Sequence, residues 1–523
     1  MTVITSIMQV DNKHKRNCKM GKYDHRISRR EFLELGAVAG AAATSAGWSG
    51  AVVGQQMPHP HENSLNFLDR TQYIHNMEVL NVFQPGEARG GKMQMMVQGD
   101  RRLIFQGAWR PGSPSLVIDV SNPMQPTIVN DREWYAGDQS DVDRYCQFQL
   151  AYNSERRRWI LMNGYDGDTG LKGVRILDAT DPTNIQLLSE WSCDQGDPSR
   201  AQQEGSGTHR NFYDGGRYAY LDTQPDDSYA NFETGRGNGV QILDVSDPSS
   251  PRFVSNWAVP GIHESQGDHY RMWEEWGDGN SFTSLHGGFY VPHKVEDGGR
   301  YGYGTWGSFG LLIHDVSDPA RPRLVGRWDT EYRPGGAIPF HATDVSKLDR
   351  GFVIVSSEPL QPDCFETWHD NFVVDVRDPT RPQWLSTLPV PKPPAGAPYT
   401  DFCNKRGRFG PHNPPHQKAP GKPDPNFYAL CFFNGGLQCY DVTFPGEPRI
   451  AAYFIPGQGG TIDDFGSYFR DTDNVFVEWD RRLIWVACNS GLYLLSAPML
   501  GEPILDRMSV AEWSLPGLNR GHG

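Results

Sequence analysis

The chain has 523 residues, of which 37% are hydrophobic and 12% aromatic, and its formal net charge at pH 7 is -14. This length exceeds one ordinary compact domain, although large all-β barrels and propellers are exceptions. The 57 glycines and 39 prolines indicate a turn-rich chain, and with the aromatic content they argue against a helical bundle. The acidic balance argues against nucleic acid or an anionic membrane surface as a partner.

The first fifty residues have the composition of an export signal. Arg29 and Arg30 are followed by Phe32, Leu33 and an Ala/Gly-rich stretch from 35 to 43. A charged region, a weakly apolar run and then small residues is the order of a secretory signal, and the run is too short for a membrane span. The paired arginines resemble the twin-arginine signal. The alternative is a chance Arg-Arg pair ahead of an amphipathic helix.

This signal predicts where the protein works. The twin-arginine route carries folded proteins, often with a cofactor already inserted. We therefore predict a periplasmic protein that has the twin-arginine export machinery as a partner and lacks a membrane span. In an oxidising compartment one or two disulfides are expected. Cys364 and Cys403 are the first candidate pair because both lie in a long insertion. The cysteine spacing matches neither a zinc ribbon nor a haem-attachment motif.

A short phrase recurs along the chain at intervals of about 60 to 70 residues. Each copy is an apolar, β-rich run that closes on an Asp-Pro or similar turn, in which Asp accepts backbone hydrogen bonds and Pro presets φ. A hairpin whose tip carries Gly, Asp and Arg usually lies about 25 residues earlier. The copies occupy residues 116–123, 174–182, 240–248, 311–319, 372–379, 437–445 and, in a worn form, 492–498.

Each repeat therefore reads as four antiparallel strands without an intervening helix. Seven such units predict an all-β fold, a seven-bladed β-propeller of four-stranded antiparallel blades. Two stacked β-sandwiches are the alternative. We expect residues 1–50 to be the signal peptide, 51–89 a leader, 90–515 the propeller and 516–523 a tail. A strand from residues 70–90 would close the ring and remove an exposed sheet edge.

The recurring phrase resembles the LVIVD repeat, over roughly residues 90–505. This resemblance implies an exported or surface propeller and is specific for fold but not for function. Residues 315–326 also resemble selenium-binding-protein-type methanethiol oxidases. Those are propellers with histidine clusters near the axis, and the bacterial ones are linked to copper. The cysteine-containing motif of that family is not found in this sequence.

Histidines recur at one repeat position in four consecutive units, counted back from the hairpin arginines. Equivalent positions of neighbouring blades converge on the axis, where a group of imidazoles suits copper, iron or zinc. The alternative is that these histidines are structural repeat residues that make hydrogen bonds between blades. The best candidate ligands are His209, His293, His341 and His416, with His286 and His412 as second-shell or alternative ligands.

These residues predict an exported metalloprotein, with copper or iron as the favoured ion and zinc also compatible. The favoured function is a metal-dependent oxidoreductase that acts on a small-molecule substrate in the central channel. Two alternatives stay open: a non-catalytic propeller that binds a protein or glycan, and a metal-dependent hydrolase. No dinucleotide fingerprint or Walker loop occurs in the sequence, so we expect no nucleotide cofactor. We identify no catalytic residue from the sequence. His314, inside a repeat strand, is expected to be a packing residue.

Overall fold

The fold is described from a computed structural model of the chain. It covers residues 63–86, 91–107, 115–131, 148–165, 173–193, 207–224, 239–260, 263–266, 285–330, 338–366, 370–414, 419–461 and 471–508. The predicted signal peptide and the predicted tail lie outside these residues. Among them, no helix is long and apolar enough to cross a lipid bilayer.

The described strands form seven antiparallel sheets, one for each repeat, and this confirms the predicted seven-bladed β-propeller. From the axis outwards, the strands of blades 1 to 3 are β3 (Met93–Gln98), β4 (Arg101–Gln106), β5 (Leu116–Asp119) and β6 (Thr127–Asn130); β7 (Phe148–Asn153), β8 (Arg158–Tyr165), β9 (Gly173–Asp178) and β10 (Gln186–Ser192); β11 (Gly207–Thr208) with β12 (Phe212–Tyr213), β13 (Tyr218–Gln224), β14 (Gly239–Asp244) and β15 (Arg252–Ala258).

Blades 4 to 7 follow the same order. Their strands are β16 (Leu285–Tyr290), β17 (Tyr301–Trp306), β18 (Leu311–Asp315) and β19 (Arg323–Trp328); β20 (Ile338–Asp344), β21 (Phe352–Glu358), β22 (Asn371–Asp375) and β23 (Gln383–Thr387); β24 (Phe427–Cys431), β25 (Leu437–Asp441), β26 (Arg449–Ile455) and β1 (Tyr73–His75); β27 (Thr472–Glu478), β28 (Leu483–Cys488), β29 (Gly491–Ser496) and β2 (Glu78–Phe83).

Helical structure in the described residues consists of single 3₁₀ turns between strands. They span Glu264–Gln266, Val295–Asp297, Gly307–Phe309, Leu348–Arg350, Pro362–Cys364, Phe402–Lys405 and Pro498–Leu500.

The ring is closed by strands from near the start of the chain. β2 pairs antiparallel with β29 as the outermost strand of blade 7, and β1 pairs with β26 at the outer edge of blade 6. The inner strand of blade 7, β27, contacts the inner strand of blade 1, β3. Pairing the first strands of the chain with its last blade covers a sheet edge that would otherwise invite association.

The recurring phrase builds the same turn in blades 1 to 6, where the phrase aspartate accepts a hydrogen bond from the amide two residues further on. In blade 4, Asp315 Oδ1 accepts hydrogen bonds from the Ser317 amide (3.1 Å) and hydroxyl (2.6 Å). Its Oδ2 accepts from Arg300 of the preceding hairpin tip at 2.9 Å. Blade 3 repeats the arrangement with Asp244 and Arg217 at 2.8 Å. In blades 1 to 4 an arginine at the hairpin and the phrase aspartate form an ion pair across neighbouring strands. In blade 5 the hairpin residue Arg350 donates instead to the carbonyls of Pro425 and Val442.

The apolar core lies between neighbouring blades rather than inside any one of them. Trp159 of blade 2 and Trp485 of blade 7 belong to one buried cluster that runs through the residues of blade 1. Because each sheet packs against another on both faces, its middle strands read as nearly continuous apolar runs. β28 is an example, with all six residues buried.

A disulfide joins Cys364 and Cys403, which confirms the pair selected from the sequence. It ties the insertion after β21 to the Pro-rich insertion that follows β23. On the same insertion, Lys405 Nζ forms a buried ion pair with Asp471 Oδ2 at 2.7 Å. The two insertions are thereby anchored to the propeller.

Buried charges join blade 7 to blade 1. The Arg102 side chain, on β4, is 0% exposed; it forms an ion pair with Glu478 and donates to Asp480 at 2.8 and 2.9 Å. Arg481 also binds Glu478, at 2.6 and 2.9 Å, and donates to the backbone carbonyls of Val120 and Ser121. This network crosses the seam at which the first and last blades meet.

Arg102→Met should destabilise this seam strongly. The substitution leaves Glu478 with one cationic partner fewer in a buried site, and breaking a buried pair typically costs about 3–5 kcal/mol. The free energy of unfolding from urea titration measures the loss. Arg377→Met is the matched control, because Arg377 lies in an exposed pair with Asp375. An equal effect of the two substitutions would contradict the role assigned to the seam.

Removal of the disulfide by Cys364→Ser with Cys403→Ser should also lower stability. The crosslinked cysteines are 39 residues apart, and the loop-closure entropy released in the unfolded chain corresponds to about 4 kcal/mol. Urea titration with and without dithiothreitol measures it. Reductant should lower the unfolding midpoint of the wild type and leave that of the double variant unchanged; no shift in the wild type would contradict the prediction.

Candidate metal centre

Four imidazoles lie in a row, one from each of four consecutive blades. The ring centroids of His209 and His286 are 4.4 Å apart, those of His286 and His341 5.0 Å, and those of His341 and His412 5.2 Å. Each histidine belongs to the innermost part of its blade: His209 lies between β11 and β12, His286 on β16 and His341 on β20. The convergence of inner strands is therefore what brings the imidazoles together.

His412 holds the innermost position of blade 6 although no strand is assigned there. Its amide donates to the Cys431 carbonyl at 2.9 Å, and the Cys431 amide donates to the Asn413 carbonyl at 3.1 Å. Residues 412 and 413 thus pair with β24 as an inner strand does in the other blades.

A close backbone contact sets the spacing of the second and third histidines. A Cβ built on Gly287 would lie 1.9 Å from the His341 carbonyl oxygen, so only glycine permits this approach of β16 to β20. The following residue, Gly288, has φ +95°, which also favours glycine. Both strands are bulged here: Leu285 and Phe289 pair with Trp306 and Gly304, so β16 fits two extra residues against β17.

Glu358 completes the cluster. It ends β21, the second strand of blade 5, and is only 4% exposed. Its Oε2 lies 3.2 Å from His341 Nε2 and 3.5 Å from His286 Nε2, and its Oε1 lies 3.4 Å from His412 Nε2. One ligand atom from each of His286, His341 and Glu358 falls within 4.8 Å of the other two. Two imidazoles and one carboxylate form a donor set that suits iron, copper or zinc.

Neighbouring side chains hold the cluster in place. Arg408, from the Pro-rich insertion, places Nη1 3.2 Å from Glu358 Oε1. The His412 ring stacks on the Phe433 ring with centroids 4.6 Å apart, and its Nδ1 lies 2.9 Å from the side-chain nitrogen Nδ2 of Asn413. Such outer contacts orient metal ligands and fix imidazole tautomers.

Burial sets the protonation states. It lowers the pKa of His341 well below the usual value, although Glu358 opposes this, so the imidazole is neutral near pH 7. Burial alone would raise the pKa of Glu358, but the imidazoles of His412, His341 and His286 bring it well below its usual value. A neutral imidazole beside an ionised carboxylate is the state in which both groups bind metal ions.

His341 has unused hydrogen-bonding capacity. The residue is 0% exposed, and within the described part of the chain neither ring nitrogen has a hydrogen-bond partner of acceptable geometry. The same holds for Glu358 Oε2, despite its short distance to His341. Buried polar atoms are rarely left without partners, so these three atoms fit metal ligands.

The structure brings together four of the six candidate ligands, namely His209, His286, His341 and His412. His293 is exposed and lies apart from them, in a surface cavity of about 720 Å³ lined by Arg300, Arg350 and Arg377 among others. His416 lies outside the described residues. In blade 4 the residue that joins the cluster is His286, because His293 lies in the connection between β16 and β17 and not on the inner strand itself.

Two further residues of the site were missed in the sequence. Glu358 is an acidic residue that ends the fully buried strand Phe352–Glu358, and a carboxylate in a buried strand is a signal in itself. Arg408 gave no such signal, because only the tertiary fold brings the insertion onto the axis.

His314 is a packing residue, as predicted. It is 0% exposed and lies edge-on to Trp257, with ring centroids 4.1 Å apart. Burial lowers its pKa to about 3, so it is neutral in the folded protein.

The neutral form of His314 should make the fold acid-sensitive. The pKa of His314 in the folded protein is below its unfolded value near 6.5. Above pH 6.5 the residue therefore costs the folded state nothing, and below pH 6.5 the free energy of unfolding falls by about 1.4 kcal/mol per pH unit, towards pH 3. His314→Phe should flatten the dependence of unfolding free energy on pH over this window. His75→Phe, which removes an exposed histidine of β1, should leave it as steep as in the wild type. Equal slopes for His314→Phe and the wild type would contradict the prediction.

The fold and the cluster define a seven-bladed β-propeller with histidines from four blades gathered at the axis. The family model of the LVIVD repeat matches residues 235–259 and 299–330, so the chain contains LVIVD repeats in blades 3 and 4. No curated protein matches the chain.

Solved structures resemble the chain at the level of the fold. Chaetomium thermophilum Raptor has 10% identity and a TM-score of 0.47; the match covers 82% of this chain and 30% of Raptor. Pseudomonas aeruginosa periplasmic gluconolactonase, PpgL, has 10% identity and a TM-score of 0.44, with 74% and 97% of the two chains covered. Saccharomyces cerevisiae Sqt1 has 9% identity and a TM-score of 0.42, with 81% and 86% covered.

Proposed function

We propose that the protein is a metal-dependent oxidoreductase whose metal ion is held at the axis by His286, His341 and Glu358. The observation that carries this proposal is the donor set itself: two imidazoles and a carboxylate, all buried, with ligand atoms within 4.8 Å of one another. Two histidines with one carboxylate and open positions are typical of non-haem iron, and the further imidazoles of His209 and His412 also suit copper. Iron is the ion we expect first and copper second.

The bound ion would supply redox or Lewis-acid chemistry to a small substrate. The residues of the chain do the rest. Arg408 holds the Glu358 carboxylate, and Asn413 and Phe433 fix the His412 ring. The burial of His341 and Glu358 keeps bulk water away from the ligands, which strengthens every electrostatic interaction in the site.

We also propose that the protein is exported to the periplasm by the twin-arginine route. The disulfide between Cys364 and Cys403 supports this, because such bonds persist in oxidising compartments. The resemblance to methanethiol oxidases of the selenium-binding-protein type rests on residues 315–326 and stays a prediction.

The test is the metal content of protein that was exported through its own signal and purified without a His tag. Elemental mass spectrometry should find about one iron or copper ion per chain, as one site implies. His341→Ala and Glu358→Ala should each bring the metal content close to zero, because each removes one ligand from a buried site. His293→Ala is the matched control and should keep the wild-type content.

Other outcomes separate the alternatives. Zinc in place of iron or copper would redirect the proposal to hydrolysis. A wild type without stoichiometric metal would overturn it and favour the non-catalytic propeller. Full metal content in His341→Ala would show that the ligands are wrongly assigned. If His341→Ala fails to fold and the wild type also holds no metal, the histidines have a structural role.

A further inference from the structure

A buried arginine without a carboxylate partner adjoins the histidine row. Arg210 is 4% exposed, and among the described residues no carboxylate lies within ion-pair distance of its guanidinium. Its Nη2 lies 3.4 Å from His412 Nε2, and its Nε has no hydrogen-bond partner within the described part of the chain. Its charge also acts on the Tyr290 phenol and on His341, which places it beside the cluster.

Several other buried cations have carboxylate partners. Arg408 has Glu358, Lys405 has Asp471, and on the seam between blades Arg102 has Glu478. A buried cation without a counterion costs several kcal/mol, and none of the described residues supplies one to Arg210, so this site can accept an anionic ligand.

The backbone holds Arg210 in this position. Asp222 Oδ2 accepts a hydrogen bond from the Arg210 amide at 2.7 Å, and its Oδ1 accepts from the His209 amide at 2.6 Å. Asp222 is 0% exposed and lies on β13, the second strand of the same blade. It therefore fixes two of the three residues between β11 and β12, and His209 enters the histidine row from the same short segment as Arg210.

A second cation, Lys92, faces Arg210 from blade 1. It is 5% exposed and has no ion-pair partner among the described residues. Burial, and next the charge of Arg210, lower the pKa of Lys92 well below the usual value, while Asp222 opposes the change. Arg210 and His286 are 4% and 5% exposed, so a water-sized probe reaches part of each residue.

We propose that Arg210, assisted by Lys92, binds the carboxylate of a small organic acid beside the histidine–glutamate cluster. The substrate of the proposed oxidoreductase is then a carboxylic acid anion, and in this respect the inference rests on the proposed function. A guanidinium presents paired donors that match a planar carboxylate, and its burial excludes the water that would compete. The ligand carboxylate supplies the counterion that the described residues do not provide.

The test is calorimetric titration of the full mature chain with acetate and propionate at constant ionic strength, before and after treatment with a chelator. We expect saturable binding in the millimolar range, where a dissociation constant of about 1 mM corresponds to about -4 kcal/mol. Because Arg210 is not a metal ligand, binding should persist in the chelated protein.

Arg210→Gln should weaken propionate binding by at least about ten-fold, the loss expected for a charge-assisted hydrogen bond. Arg300→Gln is the matched control, because Arg300 is exposed and paired with Asp315; its affinity should equal that of the wild type. If Arg210→Gln does not fold, Lys92→Met and Arg210→Lys replace it in the test. Each should weaken propionate binding while its unfolding midpoint stays close to that of the wild type.

Several results would overturn the proposal. One is an unchanged propionate affinity in Arg210→Gln, or in both Lys92→Met and Arg210→Lys. Another is the absence of saturable carboxylate binding to the folded wild type, or the loss of that binding when the metal is removed. Equal affinity for sulfate would also overturn it, because it would indicate a site for any oxyanion. Metal content, measured in parallel, separates this inference from the proposed function. Carboxylate binding that depends on Arg210 in a wild type without metal would retain the anion site and overturn only the oxidoreductase.

Discussion

The close approach of neighbouring inner strands is the constraint on which the rest of the site depends. Seven sheets arranged around one axis leave little room between their innermost strands. In blades 4 and 5 this room is so small that Gly287 packs directly against the His341 carbonyl. The side chains of these inner strands are buried, so they contact one another rather than solvent. A row of imidazoles with ring centroids 4.4 to 5.2 Å apart is the direct result.

The chemistry of the axis follows from burying so many polar groups together. In an apolar core, each charge must find a partner or lose its ionisation. Glu358 has a permanent cation beside it, since Arg408 Nη1 lies 3.2 Å from its Oε1. His341 loses its charge because burial outweighs the attraction of that carboxylate. Arg210 satisfies neither condition within the described chain, and for this reason it indicates a ligand.

The same rule distinguishes structural charges from functional ones. Arg102 and Arg481 are buried as deeply as any residue of the axis, yet each has a carboxylate or backbone partner across the seam. The repeat aspartates, such as Asp244, are satisfied by their own turn and by the hairpin arginine; burial opposes the shift, but these contacts lower the pKa of Asp244 to about 2. Functional candidates are the groups that remain incompletely satisfied after such an inventory.

The sequence by itself determined the fold and part of the site. The Asp-Pro phrase and its arginine are local features, because the ion pair and the turn lie within one hairpin and its neighbouring strand; the seven copies of the phrase, one of them worn, predict seven blades. The disulfide between Cys364 and Cys403 could also be predicted from the sequence, because both cysteines lie in insertions. Only the tertiary structure decided which histidines meet. His286 lies on the inner strand β16, whereas His293 lies in the connection that follows it, and spacing from the hairpin arginine does not show where that strand ends. Glu358, Arg408 and Arg210 reach the axis from a second strand, an insertion and a short inner segment, and their role depends on what surrounds them after folding.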